Sequence, residues 1–322
     1  MRNLCFVMIF ATQIAASSAA LAKPLCAAIF VSRAELPVRS PLLKPSKPLK
    51  IEDINYSLQG PKHAPVVILI HGLGGSLESW SFISAALSRD YRVLSYDLRG
   101  HGQTEAQGEN YHTEVHAQDL RVLLDHLNIQ RANIIGHSLG ARVGMRFLDM
   151  YPDRVLSYVS EDMGLENVQE DNPEKSLKNL HMARLAAGMK PHYSSLEALT
   201  DELKDFYDGD LDRANRFAQR ISFVSRKTGD VFLDHPEVRL LMGFQANSED
   251  FGLALSRATV PLLFLRANTK MSPFFPSTSI QQINNNAPAA GIVNFPDAGH
   301  NIHDDQPRKY LNTVKKFLSK TR

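Results

Sequence analysis

Cysteine is nearly absent from this chain of 322 residues: it has two, Cys5 and Cys26, both close to the N-terminus. A disulfide framework is excluded, so stability has to come from a buried core, and a chain of this length can build one. Also missing is any apolar run of about twenty residues, the length a membrane-spanning helix needs. Charge of one sign is not in excess either, the formal net charge being +2. It is unevenly spread, with +5 over residues 23–50 and −4 over residues 51–322. The main part is thus mildly acidic, which argues against nucleic-acid binding. No internal repeat is visible.

The N-terminus reads as an export signal. Arg2 supplies a positive start, Leu4 to Ile14 a short apolar core, and Ala20-Leu21-Ala22 a cleavage site. The apolar core is too short to span a bilayer. Lys23-Pro24-Leu25 before Cys26 lacks the small residues of a lipoprotein signal. Residues 1–22 are therefore expected to be removed, leaving a periplasmic or secreted protein with no integral membrane span and one cysteine. Residues 23–50 read as a basic, proline-containing lead-in, extended and solvated; attachment to a surface is the other reading.

The chain is organised around Asn133-Ile134-Ile135-Gly136-His137-Ser138-Leu139-Gly140-Ala141. An apolar strand stops at Gly136, and a helix-forming segment starts at Ala141. Ser138 sits at the corner, in a strained backbone turn that needs small residues two positions away on either side. Gly136 and Gly140 meet that need. Taken alone, G-x-S-x-G also occurs by chance in glycine-bearing turns.

What precedes and follows gives the pattern a setting. Ile51 to Leu58 alternates like an antiparallel strand. Val66 to Ile70, Tyr91 to Tyr96, Ala132 to Ile135 and Val155 to Ser160 are short apolar runs, as strands buried on both faces are. Helical patterns lie between them, notably Thr113 to Leu127. Residues 165–255 break the alternation; Leu177, Leu180 and Leu185, then Leu196, Leu199 and Leu203, have helical spacing. That stretch is expected to be a helical cap. Strand–helix alternation resumes with Leu262 to Leu265, Gly291 to Phe295 and a closing amphipathic helix carrying Tyr310, Val314, Phe317 and Leu318. An α/β core over 51–164 and 256–322 is expected: a mostly parallel sheet flanked by helices.

Four motifs, in order, carry a resemblance: His71-Gly72, Asp97-x-Arg99-Gly100-His101-Gly102, Gly136-His137-Ser138-Leu139-Gly140 and Gly299-His300. From about residue 50 to 320 the chain resembles the alpha/beta-hydrolase superfamily, in its capped serine esterase-like branch. The resemblance implies an eight-stranded, mostly parallel sheet with the cap inserted after the sixth strand.

A serine hydroxyl needs an adjacent imidazole to take its proton. His300, in a glycine-containing loop after the last strand, is the candidate base. His303 and Asp304 nearby raise a metal site as the other reading, but no third ligand and no H-E-x-x-H pattern accompany them. His303 is read as shaping the loop, and neither a metal nor a cofactor is expected. The imidazole needs a carboxylate partner. Residues 266–272, where the family commonly places an aspartate, contain no acid; family members with the acid after the sixth strand point to Asp162 ahead of Glu161. A capping role for Asp162, or an uncharged partner in Asn268, are the alternatives.

The amide of Leu139 is one expected oxyanion donor, and the resemblance makes Leu73 the second. His71, His101 and His137 are read as structural, His112 and His116 as a solvated helix face, and Trp80 as lining the pocket or packing a helix. The expected activity is hydrolysis of a small-molecule carboxylic ester with an apolar acyl group, through a Ser-His-Asp triad and an acyl-enzyme. Lactonase, thioesterase, carbon–carbon hydrolase and acyltransferase chemistry share the machinery. A non-catalytic ligand-binding protein on the same fold is the reading from another class.

Overall fold

The computed structural model describes residues 48–104, 110–165, 192–207, 209–212, 214–215, 218, 222–224, 231–233 and 249–321. The expected signal peptide and most of the lead-in lie outside the described residues, as does much of the expected cap.

Seven strands form the main sheet: β1 (Tyr56–Gln59), β2 (Val66–Ile70), β3 (Arg92–Tyr96), β4 (Ala132–His137), β5 (Val155–Glu161), β9 (Leu262–Ala267) and β10 (Gly291–Phe295). Their order is β1-β3-β2-β4-β5-β9-β10, with β1 antiparallel to β3 and the rest parallel. The α/β-hydrolase arrangement is therefore present, with seven described strands where eight were expected; the excursion toward the cap leaves after β5. The first strand starts later than the alternation indicated, because Ile51–Asp53 forms a 3-10 turn.

Successive residues of the inner strands feed opposite cores, as a two-residue period requires. Ile68, Ile70, Leu94, Ile134, Tyr158 and Phe264 belong to one core, Val67, Leu69, Val93, Ile135, Val159 and Leu265 to the other. Helix α1 (Ser81–Leu87) and α8 (Pro307–Leu318) cover the second face through Ile83, Leu87, Tyr310, Val314 and Leu318. Helices α2 (Thr113–His126), α3 (Leu139–Met150), α5 (Gly252–Arg257) and α6 (Ser277–Asn286) cover the first. Both faces being buried is why these strands read as continuous apolar runs.

The described part of the cap departs from the all-helical expectation. Besides α4 (Leu196–Leu203), it contains a three-stranded antiparallel sheet, β6 (His192–Tyr193), β7 (Ser222–Val224) and β8 (Val231–Leu233), in the order β6-β8-β7. Ser222-Phe223-Val224 and Val231-Phe232-Leu233 are each rich in β-formers but only three residues long, too short to show a period. Tyr193, Leu199, Leu203, Ala214, Ala218 and Val231 form a small core of their own.

The end of the lead-in is also not simply solvated. Leu49 is buried, and its N–H donates to Asp119 Oδ1 at 2.7 Å. Asp119 in turn takes a two-point contact from Arg99, Nε to Oδ2 at 2.9 Å and Nη2 to Oδ1 at 2.7 Å.

Candidate active site

Ser138 lies between β4 and α3 with φ 52° and ψ −118°. The turn is possible because nothing projects from its flanks: a Cβ on Gly136 would lie 2.3 Å from the Gly140 carbonyl oxygen, and one on Gly140 would lie 2.1 Å from that of Ile70. Among the described residues, only three non-glycines have positive φ: Asn128, Ser138 and Asp162, the last at 46°. Asparagine and aspartate tolerate that region, whereas serine there, at ψ −118°, marks held strain.

Asp162, directly after β5, is 1% exposed, and its Oδ2 meets His300 Nδ1 at 2.8 Å. The rest of its carboxylate is also satisfied. Oδ1 accepts the Ala267 N–H at 2.9 Å, and Oδ2 accepts the Ser272 hydroxyl. The backbone N–H of Asp162 donates to Leu265 O at 2.8 Å. The acid-free loop after β9 thus contributes donors instead of a carboxylate. Asn268 does not meet His300; its Nδ2 donates to Pro296 O at 2.6 Å. Ser272 carried no signal in the sequence, since a hydroxyl in a loop of that kind has no distinguishing pattern.

His300 keeps 24% of its side chain exposed and rests against Phe274, ring centroids 4.3 Å apart. Its carbonyl accepts from His137 Nε2 at 2.9 Å, which ties the His300 loop to the residue before Ser138. Among the described residues no hydrogen bond joins Ser138 Oγ to His300.

The loop of Leu73 adjoins the serine. A Cβ on Gly72 would stand 3.2 Å from Ser138 Cβ and 2.6 Å from His137 Nδ1, so only glycine allows that approach. Among the described residues, the amides of Leu73 and Leu139 donate to no backbone carbonyl outside their own elements. Two histidines brace this loop. His71 Nε2 accepts the Leu98 N–H at 3.0 Å while Nδ1 faces Gly72 O at 2.8 Å; His101 Nε2 accepts the Gly74 N–H at 3.1 Å. Asp97 links the same two loops, with Oδ1 accepting from Leu77 N at 2.7 Å and Oδ2 from Gln103 N at 2.8 Å.

Trp80 is fully buried and stacks on His303, centroids 4.4 Å apart, so it packs rather than lines a pocket. His303 Nδ1 meets Glu161 Oε1 at 2.7 Å. With Asp162 on one histidine and Glu161 on the other, the pair His300/His303 is committed to carboxylates, and no cluster of three metal-ligating side chains occurs among the described residues. The solvated-face reading of His112 and His116 fails for His116, which is wholly buried; burial, then the charge of Arg99 and His71 nearby, lowers its pKa to about 3. A neutral imidazole there lies on the buried face of α2, with its ring 6.3 Å from that of Tyr111.

A hollow of about 310 Å³ lined by Asn55, Tyr56, Leu77, Ser84 and Gln103, among others, includes none of the residues assigned to the site. The two ends of the stretch expected to be a cap are hydrogen-bonded to each other and to α3. Phe251 N donates to Leu165 O at 3.0 Å, joining the two stems, and Arg142 Nη1 donates to Glu249 O at 2.9 Å.

The family model for the alpha/beta hydrolase fold matches residues 65–307. A putative 2-succinyl-6-hydroxy-2,4-cyclohexadiene-1-carboxylate synthase of Bacillus subtilis is 26% identical over 285 residues, covering 83% of this chain and 96% of that protein. A putative esterase/lipase of Haemophilus influenzae is 24% identical, covering 83% of this chain and 88% of that protein. Among solved structures, a marine microorganism esterase superposes with a TM-score of 0.67 at 22% identity, over 82% of this chain and 98% of that one. At that identity the likeness is one of fold. No helix among the described residues is long and apolar enough to cross a membrane.

Proposed function

Since the chain belongs to the alpha/beta-hydrolase fold family, and two of the three similar proteins above carry esterase names, we propose that it is an exported serine hydrolase cleaving carboxylic esters of small molecules. The observation that carries this reading is the pairing of a strained Ser138 turn with a buried Asp162 held 2.8 Å from His300 Nδ1. Ser138 Oγ attacks the ester carbonyl while His300 Nε2 takes its proton. Asp162 accepts from Nδ1, which sets the tautomer and stabilises the imidazolium. The amides of Leu73 and Leu139 receive the negative charge on the carbonyl oxygen. Collapse expels the alcohol, protonated by His300, and leaves an acyl-enzyme. Water, deprotonated by the same imidazole, then attacks that carbonyl and frees the acid and Ser138.

No cofactor enters this scheme. Phe274 beside His300 supports an apolar acyl group. The N-terminal signal supports export before Lys23, to a periplasm or beyond the cell. Other acyl chemistry of the same serine, on lactones or thioesters, differs only in the substrate accepted.

The test is turnover of p-nitrophenyl esters of short, medium and long acyl chain by the protein from Lys23 onward, with Ser138→Ala beside it. The expected loss on substitution is about 10⁶-fold in kcat, the order found when the nucleophile of a serine triad is removed. A variant keeping most of its activity would overturn the assignment. A folded wild-type protein inert to every ester and to a fluorophosphonate would favour a ligand-binding role instead.

A further inference from the structure

Each of the three residues assigned to the chemistry has a near neighbour in sequence belonging to a second buried set. His137 precedes Ser138, Glu161 precedes Asp162, and His303 follows His300 by three. His137 and Glu161 are register partners on the adjacent strands β4 and β5. Glu161 Oε1 accepts from His303 twice, from its backbone N–H at 2.9 Å and from Nδ1 at 2.7 Å. The His137 ring lies 4.6 Å from that of His300 and 5.3 Å from that of His303. Glu161 and His303 are 0% and 3% exposed, and Trp80 covers the His303 ring.

We propose that Glu161, acting through His303, is a positioning residue that sets His300 against Asp162. Side chains pin the backbone of the loop carrying His300 at several points. Gly299 N–H donates to Asp305 Oδ2 at 2.7 Å, His300 C=O accepts from His137, and His303 N–H donates to Glu161. Glu161 provides a pin from β5, the strand that leads directly into Asp162. It therefore ties the base and its carboxylate partner to a common support, and shifts of about 1 Å in such a pair cost on the order of 10²-fold in rate. Packing alone does not account for an ionisable pair at this position. Apolar side chains of similar volume commonly fill such sites at no loss of stability.

This inference rests on the serine-hydrolase reading, and its test separates the two. Glu161→Ala, Glu161→Gln and wild type are compared on the same ester, with circular dichroism giving the folded fraction. Fluorophosphonate labelling of Ser138 is followed in parallel. Glu161→Ala is expected to lower kcat about 100-fold with KM changed less than about twofold, and to slow labelling in step. The acid limb of its kcat profile should move to lower pH, because a loosened Asp162 contact supports the imidazolium less. Glu161→Gln, whose amide oxygen still accepts the His303 N–H, should recover most of the loss.

A folded Glu161→Ala protein with unchanged kcat and acid limb would overturn the proposal. So would equal losses in the Ala and Gln variants. If Glu161→Ala does not fold, His303→Ala against His303→Asn repeats the comparison from the other side, the Asn amide keeping a donor toward Glu161. If wild-type protein neither turns over nor labels, the hydrolase reading falls. The positioning claim is then decided by whether the low-field Nδ1 proton resonance of His300 survives in Glu161→Gln and disappears in Glu161→Ala.

Discussion

The carboxylates at the end of β5 and the one at Glu249 are met by different kinds of partner. At the end of β5, Glu161 and Asp162 face His303 and His300. At the foot of the cap, Glu249 faces the start of α2 and one side of α3. It accepts from Thr113 N at 2.9 Å, the Thr113 hydroxyl, His112 at 3.3 Å and Arg146 Nη2 at 3.0 Å. Burial pushes the Glu249 carboxyl up, but the hydrogen bonds from His112, Thr113 and Arg146 outweigh it and hold the pKa at about 2. Arginine keeps its charge at every accessible pH, whereas histidine exchanges a proton near neutrality. Glu249 is matched to the permanent cation of Arg146, with His112 beside it. Glu161 and Asp162 are matched to imidazoles.

The comparison breaks first at Asp162. Asp162→Asn can still accept the Ala267 N–H through its amide oxygen, but its amide group favours the wrong imidazole tautomer of His300. A loss of about 10⁴-fold in kcat is expected, read by ester turnover, with the melting temperature little changed. A loss under tenfold would mean that the imidazole works without its carboxylate. Next in size is Arg99→Met, which removes the permanent cation from buried Asp119. Burial already raises the Asp119 pKa, and Arg99 opposes that rise. Losing Arg99 should cost about 3–5 kcal/mol in denaturant unfolding, the range for half of a buried ion pair. The Leu49 contact, which uses the same carboxylate, should loosen with it.

How much of this was readable in the sequence follows the range of each interaction. The strands were legible because residues such as Val66 to Ile70 alternate between two apolar cores, and both cores demand hydrophobic side chains. The serine turn was legible because its sterics fall within five residues, Gly136 to Gly140. Asp162 was reached by elimination and by likeness to a family; its positive φ and its bond to Ser272, 110 residues away, leave no local mark. Glu161 and His303, 142 residues apart, look like an acid beside an acid and a histidine beside a histidine until the fold joins them. His116 looked like a surface histidine because a neutral buried ring has the same letter as a charged exposed one. The small cap sheet was missed because three-residue strands are shorter than the window in which a period can be seen.

The smallest expected effect lies at the cap foot, and it sharpens the comparison through pH. Glu249→Gln keeps the shape of the side chain but removes the charge that Arg146 and Thr113 address. A loss of about 1–3 kcal/mol in unfolding at neutral pH is expected, the range for breaking hydrogen bonds to a charged group. The folded-state pKa of Glu249 lies below its ordinary value of 4.5, at about 2. Its stabilisation is therefore complete above pH 4.5 and declines as pH falls toward 2, because the unfolded chain takes up the proton first. Melting temperatures of wild type and Glu249→Gln should differ most at neutral pH and converge across that acid window. Ester turnover per folded molecule should be alike in both proteins wherever the fold persists. A constant gap down to pH 2 would mean that Glu249 holds the cap by packing, and the contrast between a fixed cation and a titrating one would lose its basis.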